Sequence, residues 1–352
     1  MPGKTDRKIR AKKNVLVTGC AGFIGFHTAT RLLQQGYRVL GVDNLNPFYN
    51  QGLKSARLRR LQARTDFQFV QGDLADRETV ASLVRGVELQ SVVHLAAQAG
   101  VRYSLENPHL YIQSNIVAFV NLAEELRHQG LSHFLFASSS SVYGENRKVP
   151  FGEQDNVDHP ISFYAATKKS NELIAHTYAH LYAMPMTGLR LFTVYGPWGR
   201  PDMAIFKFCK AIEEGTAIQL YNRGRMRRDF TYVDDVVESI VRLLARPFER
   251  RRSRPSGDVS PYYRIFNLGN HQPVELCYLI QVLEKKLGKK AIVELLPMQP
   301  GDVPVTYARM NALSREIGFR PKTPIEDGIG AFVNWYREYY NSGSASAASG
   351  GG

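Results

Sequence analysis

Cysteine, tryptophan, long apolar runs and acidic charge are all in short supply in this chain, and each shortage excludes something. Cysteine occurs only as Cys20, Cys209 and Cys277 in 352 residues. The three are widely separated and lack metal-ligand spacing, which argues against a disulfide framework and a zinc site and suits a reducing compartment. No stretch reaches the roughly 18 apolar residues that span a bilayer, and the N-terminus lacks the apolar segment of a secretory signal. The expectation is a soluble, cytoplasmic protein with no membrane partner. Acidic residues number 32 against 45 Lys and Arg, a net charge of +13. The excess is clustered in an N-terminal arm at 4–13, in Glu249-Arg250-Arg251-Arg252-Ser253-Arg254 within a Pro/Ser/Gly-rich stretch, and at 223–228. The first two read as solvated tails or loops. The third has no interleaved aromatics and no recognised nucleic-acid module beside it, so no nucleic-acid partner is expected. The small polar end at 342–352 reads as a flexible tail.

What is present is a 44% hydrophobic composition, enough for one large domain or two modest ones. Asn14-Val15-Leu16-Val17-Thr18 is a short β-branched run followed at once by Gly19-Cys20-Ala21-Gly22-Phe23-Ile24-Gly25 and a helical pattern through Gln34. Strand, glycine turn and helix are the context of a dinucleotide site. The glycines let the backbone turn tightly and approach a pyrophosphate, which rests on the helix N-terminus at Phe23 and Ile24. A second strand ends in Asp43, followed by Asn44, where a carboxylate binds adenosine ribose hydroxyls and repels a 2′-phosphate. NAD is therefore favoured over NADP. Further strands lead to Asp73 and Leu74 and to Leu95, Ala96 and Ala97, with helical patterns between them, as in a doubly wound parallel α/β sheet. Asp73 is placed to accept from an adenine amino group, and the two alanines are small where a cofactor passes.

Another strand delivers Ser138, Ser139, Ser140, Ser141, Val142, Tyr143 and Gly144 to the same edge, and Tyr164 and Lys168 follow, four apart on one helix face that starts near Ser162. A free phenol has a pKa of about 10, and a nearby positive charge favours the phenolate, so a Tyr-x-x-x-Lys pair can make a base from a weak acid.

In that order, the G-x-x-G-x-x-G, the Asp-Leu at 73 and 74, the Ser-x-x-Val-Tyr-Gly run and the Tyr-x-x-x-Lys resemble the extended short-chain dehydrogenase/reductase family over about residues 14–340. Three stretches narrow the likeness: Gln98-Ala99-Gly100-Val101-Arg102-Tyr103-Ser104, Thr193-Val194-Tyr195-Gly196-Pro197-Trp198-Gly199-Arg200-Pro201-Asp202-Met203-Ala204, and Met298-Gln299-Pro300-Gly301-Asp302-Val303-Pro304. They are similar to the branch that epimerises UDP-glucuronate at carbon 4, with epimerases of neutral UDP-sugars and decarboxylases as the neighbouring alternatives.

The resemblance implies a Rossmann domain at 14–185 with a return near 235–267, a smaller α/β substrate domain at 186–234 and 268–340, and a homodimer. It implies that NAD takes hydride from sugar carbon 4, with Tyr164 as base, and returns it to the other face. In this reading Lys168 lowers the Tyr164 pKa and bonds the nicotinamide ribose, and Ser139 bonds the reacting oxygen. Dehydratases and decarboxylases of the family carry an acidic residue where this chain has Ser140 and Ser141, and a serine cannot do a carboxylate's proton transfers at neutral pH. Arg200 offers a planar fork for a substrate carboxylate, assisted by Thr193, Ser140 and Ser141. Arg228 carries over as a diphosphate ligand and Asp302 as a uridine-ribose contact. Gln299 stands where a second diphosphate arginine is common, and Arg102 is open between substrate contact and loop surface.

Overall fold

The computed structural model describes residues 13–246, 248, 261–299 and 301–348, with side chains up to Tyr340. The basic arm before residue 13, the arginine-rich stretch at 249–254, Pro300 and the last four residues lie outside the described residues. Twelve strands are described: β1 (Asn14–Thr18), β2 (Arg38–Asp43), β3 (Phe67–Gln71), β4 (Ser91–His94), β5 (His133–Ser139), β6 (Met186–Leu191), β7 (Thr193–Tyr195), β8 (Ala217–Leu220), β9 (Arg227–Tyr232), β10 (Tyr263–Leu268), β11 (Pro273–Glu275) and β12 (Ile292–Leu295).

Seven of them form one parallel sheet in the order β10-β6-β5-β4-β1-β2-β3. Its central strands are buried on both faces, which is why they read as continuous apolar runs rather than as alternation. Successive residues serve opposite layers: Val15 and Val17 join the core that holds Phe26 and Leu32, whereas Leu16 joins the core that holds Phe119 and Tyr178. The direction of winding reverses between β1 and β4, so their carboxyl ends open a crevice, the place where such sheets bind ligands. The loops after β1, β2, β4 and β5 all reach that edge.

The remaining strands form a three-stranded sheet, β11-β9-β7, and a parallel pair, β12-β8. The chain leaves the large sheet after β6, builds β7 to β9, returns to pair β10 with β6, and leaves again. The last helix, Ile325–Ala348, runs past residue 340, where a flexible tail is expected; alanine and serine oppose a helix little enough for it to extend.

Candidate active site

At the crevice, sterics dictate the glycine turn. Gly19 has φ +69°, and a Cβ there would lie 2.9 Å from the Cα of Ala96. A Cβ on Gly25 would lie 2.0 Å from the Gly19 carbonyl oxygen. The turn and the small residues after β4 are thus packed backbone to backbone, and Thr18 Oγ1 clips them together by accepting from the amides of Leu95 and Ala96 at 3.1 and 3.0 Å. The amides of Gly19 and Cys20 donate to Val42, that of Ala21 to Asp43 and that of Gly22 to Gly19. The next three, of Phe23, Ile24 and Gly25, open the helix Phe23–Gln34 and have no intrahelical acceptor, so they are left for an anion. Asp43, buried at the end of β2, accepts from Ala21 N at 3.1 Å and Leu45 N at 2.8 Å. Asp73 accepts from Asn44 Nδ2 at 3.0 Å and Ala75 N at 2.9 Å. This donor set and cradle fit a dinucleotide.

The helix that carries Tyr164 and Lys168, Phe163–Tyr182, starts where Ser162 caps it by accepting from Ala165 N at 3.1 Å. It brings half-buried Tyr164 and buried Lys168 to the cavity at the end of β5. The four serines take separate tasks. Ser138 donates to Glu172 at 2.6 Å. Ser139 accepts from Ser141 N at 3.1 Å and shares the cavity wall with Tyr164. Ser140 and Ser141 begin a short turn that ends at Gly144, where a Cβ would lie 2.0 Å from the His159 carbonyl.

Burial pushes the Tyr164 phenol up, while the Ser139 hydroxyl and the Arg200 charge pull it back. The Arg200 charge thus acts on Tyr164 from a separate segment of the chain. Lys168 Nζ donates to the carbonyl of Ala137 at 3.0 Å, and burial lowers Lys168 to about 8.

One cavity of about 430 Å³ gathers Gly19, Gly22, Phe23, Ile24, Gly25, Asp43, Asn44, Asp73, Leu74, Leu95, Ala96 and Ala97 with Ser139, Ser140, Ser141, Tyr164, Lys168, Thr193 and Arg200. Arg200 is already engaged: its Nε and Nη2 donate to the two carboxylate oxygens of Asp202 at 3.0 and 2.6 Å. Three expected substrate residues are not on the cavity wall. Arg102 pairs with Asp302 at 3.2 Å and stacks on Tyr221, and Arg228 donates to the carbonyls of Arg227 and Pro304 at 3.1 and 3.3 Å. Burial lowers the Arg228 pKa, Asp302 raises it and Arg102 lowers it again, so the three charges share one neighbourhood. Arg102 is continuous in the chain with Val101, which lines the cavity.

Several residues that sequence reasoning passed over are as well placed as those it found. Lys54 is buried 3.5 Å from Asp43 on the cavity wall. Asn115 sits on a π-helical turn, Ile112–Val117, whose wider backbone lets its side chain pair with both the amide and the carbonyl of Gln98 at 2.8 and 3.0 Å. Its Nδ2 also donates to Thr167 at 3.0 Å, which ties the loop after β4 to the helix that carries Tyr164. Gln98 lines the cavity with its buried Nε2 unpartnered. The available signal was polar residues inside otherwise helical, half-apolar segments, which does not say which of them turn inward.

Residues 15–269 match the model of the NAD dependent epimerase/dehydratase family. A Rhizobium meliloti (strain 1021) protein named probable UDP-glucuronate 4-epimerase is 48% identical over 331 residues, covering 92% of this chain and 97% of its own. UDP-glucuronate 4-epimerase 4 of Arabidopsis thaliana is 46% identical over 354 residues, covering 98% of this chain and 81% of its own. Among solved structures, the UDP-glucuronic acid 4-epimerase of Bacillus cereus in complex with UDP-glucuronic acid and NAD superposes with a TM-score of 0.84 at 32% identity, covering 93% of this chain and 100% of that one. A cradle that only glycine can form, a buried carboxylate at the end of β2 and a match over most of the ordered chain lead to one assignment: this chain belongs to the NAD dependent epimerase/dehydratase family.

Proposed function

We propose that this protein inverts carbon 4 of UDP-glucuronate to give UDP-galacturonate. The observation that carries the reading is the composition of one cavity wall: Tyr164 and Ser139 together, with Ser140, Ser141, Thr193 and Arg200 around them and no carboxylate in the serine loop. NAD, when bound, supplies the hydride acceptor and donor. Tyr164 takes the proton of the 4-hydroxyl, and Ser139 holds that oxygen. Arg200 meets the sugar carboxylate and favours the phenolate, and Lys168 lowers the Tyr164 pKa and holds the nicotinamide ribose. The 4-keto sugar is a β-keto acid, and hydrogen bonds that stabilise its carboxylate oppose loss of carbon dioxide; Ser140, Ser141 and Thr193 supply neutral donors for this.

Residues 14–185 hold NAD, and 186–234 with 268–340 hold the UDP-sugar. Arg228 binds the diphosphate, Asp302 binds the uridine ribose, and Arg102 orients Asp302. The working unit is a cytoplasmic homodimer, with Leu173 and Leu181, exposed on one face of the catalytic helix, as its contact. Size-exclusion chromatography of Leu173→Arg tests this, with a monomer expected.

One observation favours a second reading. Asp202 occupies the Arg200 fork, which would suit a neutral UDP-sugar. Purified protein incubated with UDP-glucuronate and resolved by chromatography separates the possibilities. UDP-galacturonate without net NADH supports the proposal, UDP-pentose makes the protein a decarboxylase, and turnover of UDP-glucose alone makes it a neutral-sugar epimerase.

A further inference from the structure

Arg57 lies on the helix Gln51–Gln62, outside every motif of the reaction, and is fully buried. Among the described residues it forms no ion pair. Its Nη1 donates to the carbonyl of Ala21 at 3.0 Å and to the Tyr49 hydroxyl at 2.8 Å. Its Nη2 donates to the carbonyl of Trp198 at 2.5 Å and reaches that of Gly199 at 3.3 Å. Burying a charge without a counter-ion is costly, and such a group persists only where a planar fork is needed to meet several acceptors at once.

The two ends of the fork touch two different parts of the site. Ala21 is in the glycine turn, and its own amide is held by Asp43. Trp198 and Gly199 immediately precede Arg200. Trp198 has φ +61°, a left-handed conformation that a bulky residue keeps only when its surroundings over-determine it. The cofactor half holds the backbone here, where His27 Nε2 bonds the Pro197 carbonyl at 2.9 Å and Arg57 takes the next two carbonyls, while the Trp198 ring packs between Arg60 at 4.8 Å and the Trp335 and Tyr339 rings of the last helix at 5.4 and 5.1 Å. Burial lowers His27 to about 4, so it meets Pro197 as a neutral N–H donor.

We propose that Arg57 is a positioning residue that fixes the strained 196–200 loop against the cofactor turn and thereby sets Arg200 for the acidic sugar. Selectivity for the carboxylate is then coupled to the geometry of the turn that holds the pyrophosphate, and by linkage each ligand strengthens the other. The inference rests on the functional reading above in taking the acidic group of the sugar as the partner of Arg200.

The test is calorimetric titration of NAD-loaded protein in an inactive Tyr164→Phe background with UDP-glucuronate and with UDP-glucose. Arg57→Met removes the fork; Arg57→Lys keeps the stem and the charge but cannot span both carbonyl sets, so it guards against a variant that fails to fold. In Arg57→Lys, binding of UDP-glucuronate should weaken about tenfold and that of UDP-glucose less than about twofold, with one NAD retained per chain. Adding Arg57→Lys to Arg200→Ala should cost no further selectivity. Equal weakening for both sugars, no weakening, or full additivity with Arg200→Ala would overturn the proposal. The unsubstituted background reads the functional proposal separately: no preference for the acidic sugar there sinks that proposal, whereas a preference that survives Arg57→Lys sinks this one.

Discussion

The two walls of the cavity are built on different principles. The cofactor wall is mostly backbone: Gly19, Gly22 and Gly25 leave no room for a Cβ, the loop after β4 is clipped to Thr18, and the free amides belong to one helix start. The sugar wall is side-chain charge and hydroxyl: Arg200 on Asp202, with Arg102 on Asp302 and Arg228 nearby. Steric construction fails completely when a methyl group is added. Charge construction is graded, because a lost guanidinium leaves the hydroxyl donors in place.

That difference can be broken or sharpened by substitution. The largest effect belongs to neither wall but to the residue between them. Tyr164→Phe should lower turnover by about 10³-fold while NAD content and melting temperature stay near wild type. Conversion of UDP-glucuronate followed by chromatography measures it, and turnover within tenfold of wild type would mean that another group is the base. On the cofactor wall, Gly25→Ala places its Cβ 2.0 Å from the Gly19 oxygen. It should cost about 3 kcal/mol in denaturant unfolding and strip NAD during purification, with every substrate affected alike. Retention of NAD at normal stability would show that this wall is softer than its contacts imply.

On the sugar wall, Arg200→Ala should raise the KM for UDP-glucuronate about tenfold to a hundredfold and leave binding of UDP-glucose nearly unchanged, the size of a charge-assisted hydrogen bond. An equal loss for both sugars would remove the distinction between the walls.

The smallest effect is in pH dependence. Burial lowers Lys168 from 10.5 to about 8, so between those values the unfolded chain binds the proton that the folded chain has released, and folding stability rises with pH across that window. Below about pH 8 both states are protonated, the slope vanishes and the folded chain carries the full cost of the buried ammonium. Nucleotide-free Lys168→Met should lack this rise, and parallel denaturation curves for the two proteins from pH 8 to 10.5 would contradict it.

Legibility followed the same division. The glycine turn, Asp43, the serine run and the Tyr164–Lys168 helix are each contained in a few consecutive residues, and the alternation of apolar strands with helices announced the parallel sheet. The pairing of Arg102 with Asp302 joins positions 200 residues apart, and Arg57 reaches Gly199 across 142; no local pattern encodes such contacts. Even for nearby residues the pattern does not give every partner: Lys168, one turn from Tyr164, donates to the carbonyl of Ala137, and the phenol also feels the Arg200 charge from another segment. Lys54, Arg57 and Asn115 were invisible because a polar residue in a mixed helix is ordinarily solvated, and only the packing of two other segments over them turns them inward.

The return of the chain to pair β10 with β6, between the strands of the smaller sheets, limits how such a protein can be recombined. A foreign sugar-binding half cannot be joined at one crossover, because any single cut after β6 also exchanges the edge strand of the nucleotide half. A chimaera that keeps Tyr263–Leu268 native needs two separate insertions, one on each side of that strand. Natural changes of substrate in this architecture are correspondingly easier by point replacement on the cavity wall than by exchange of whole segments.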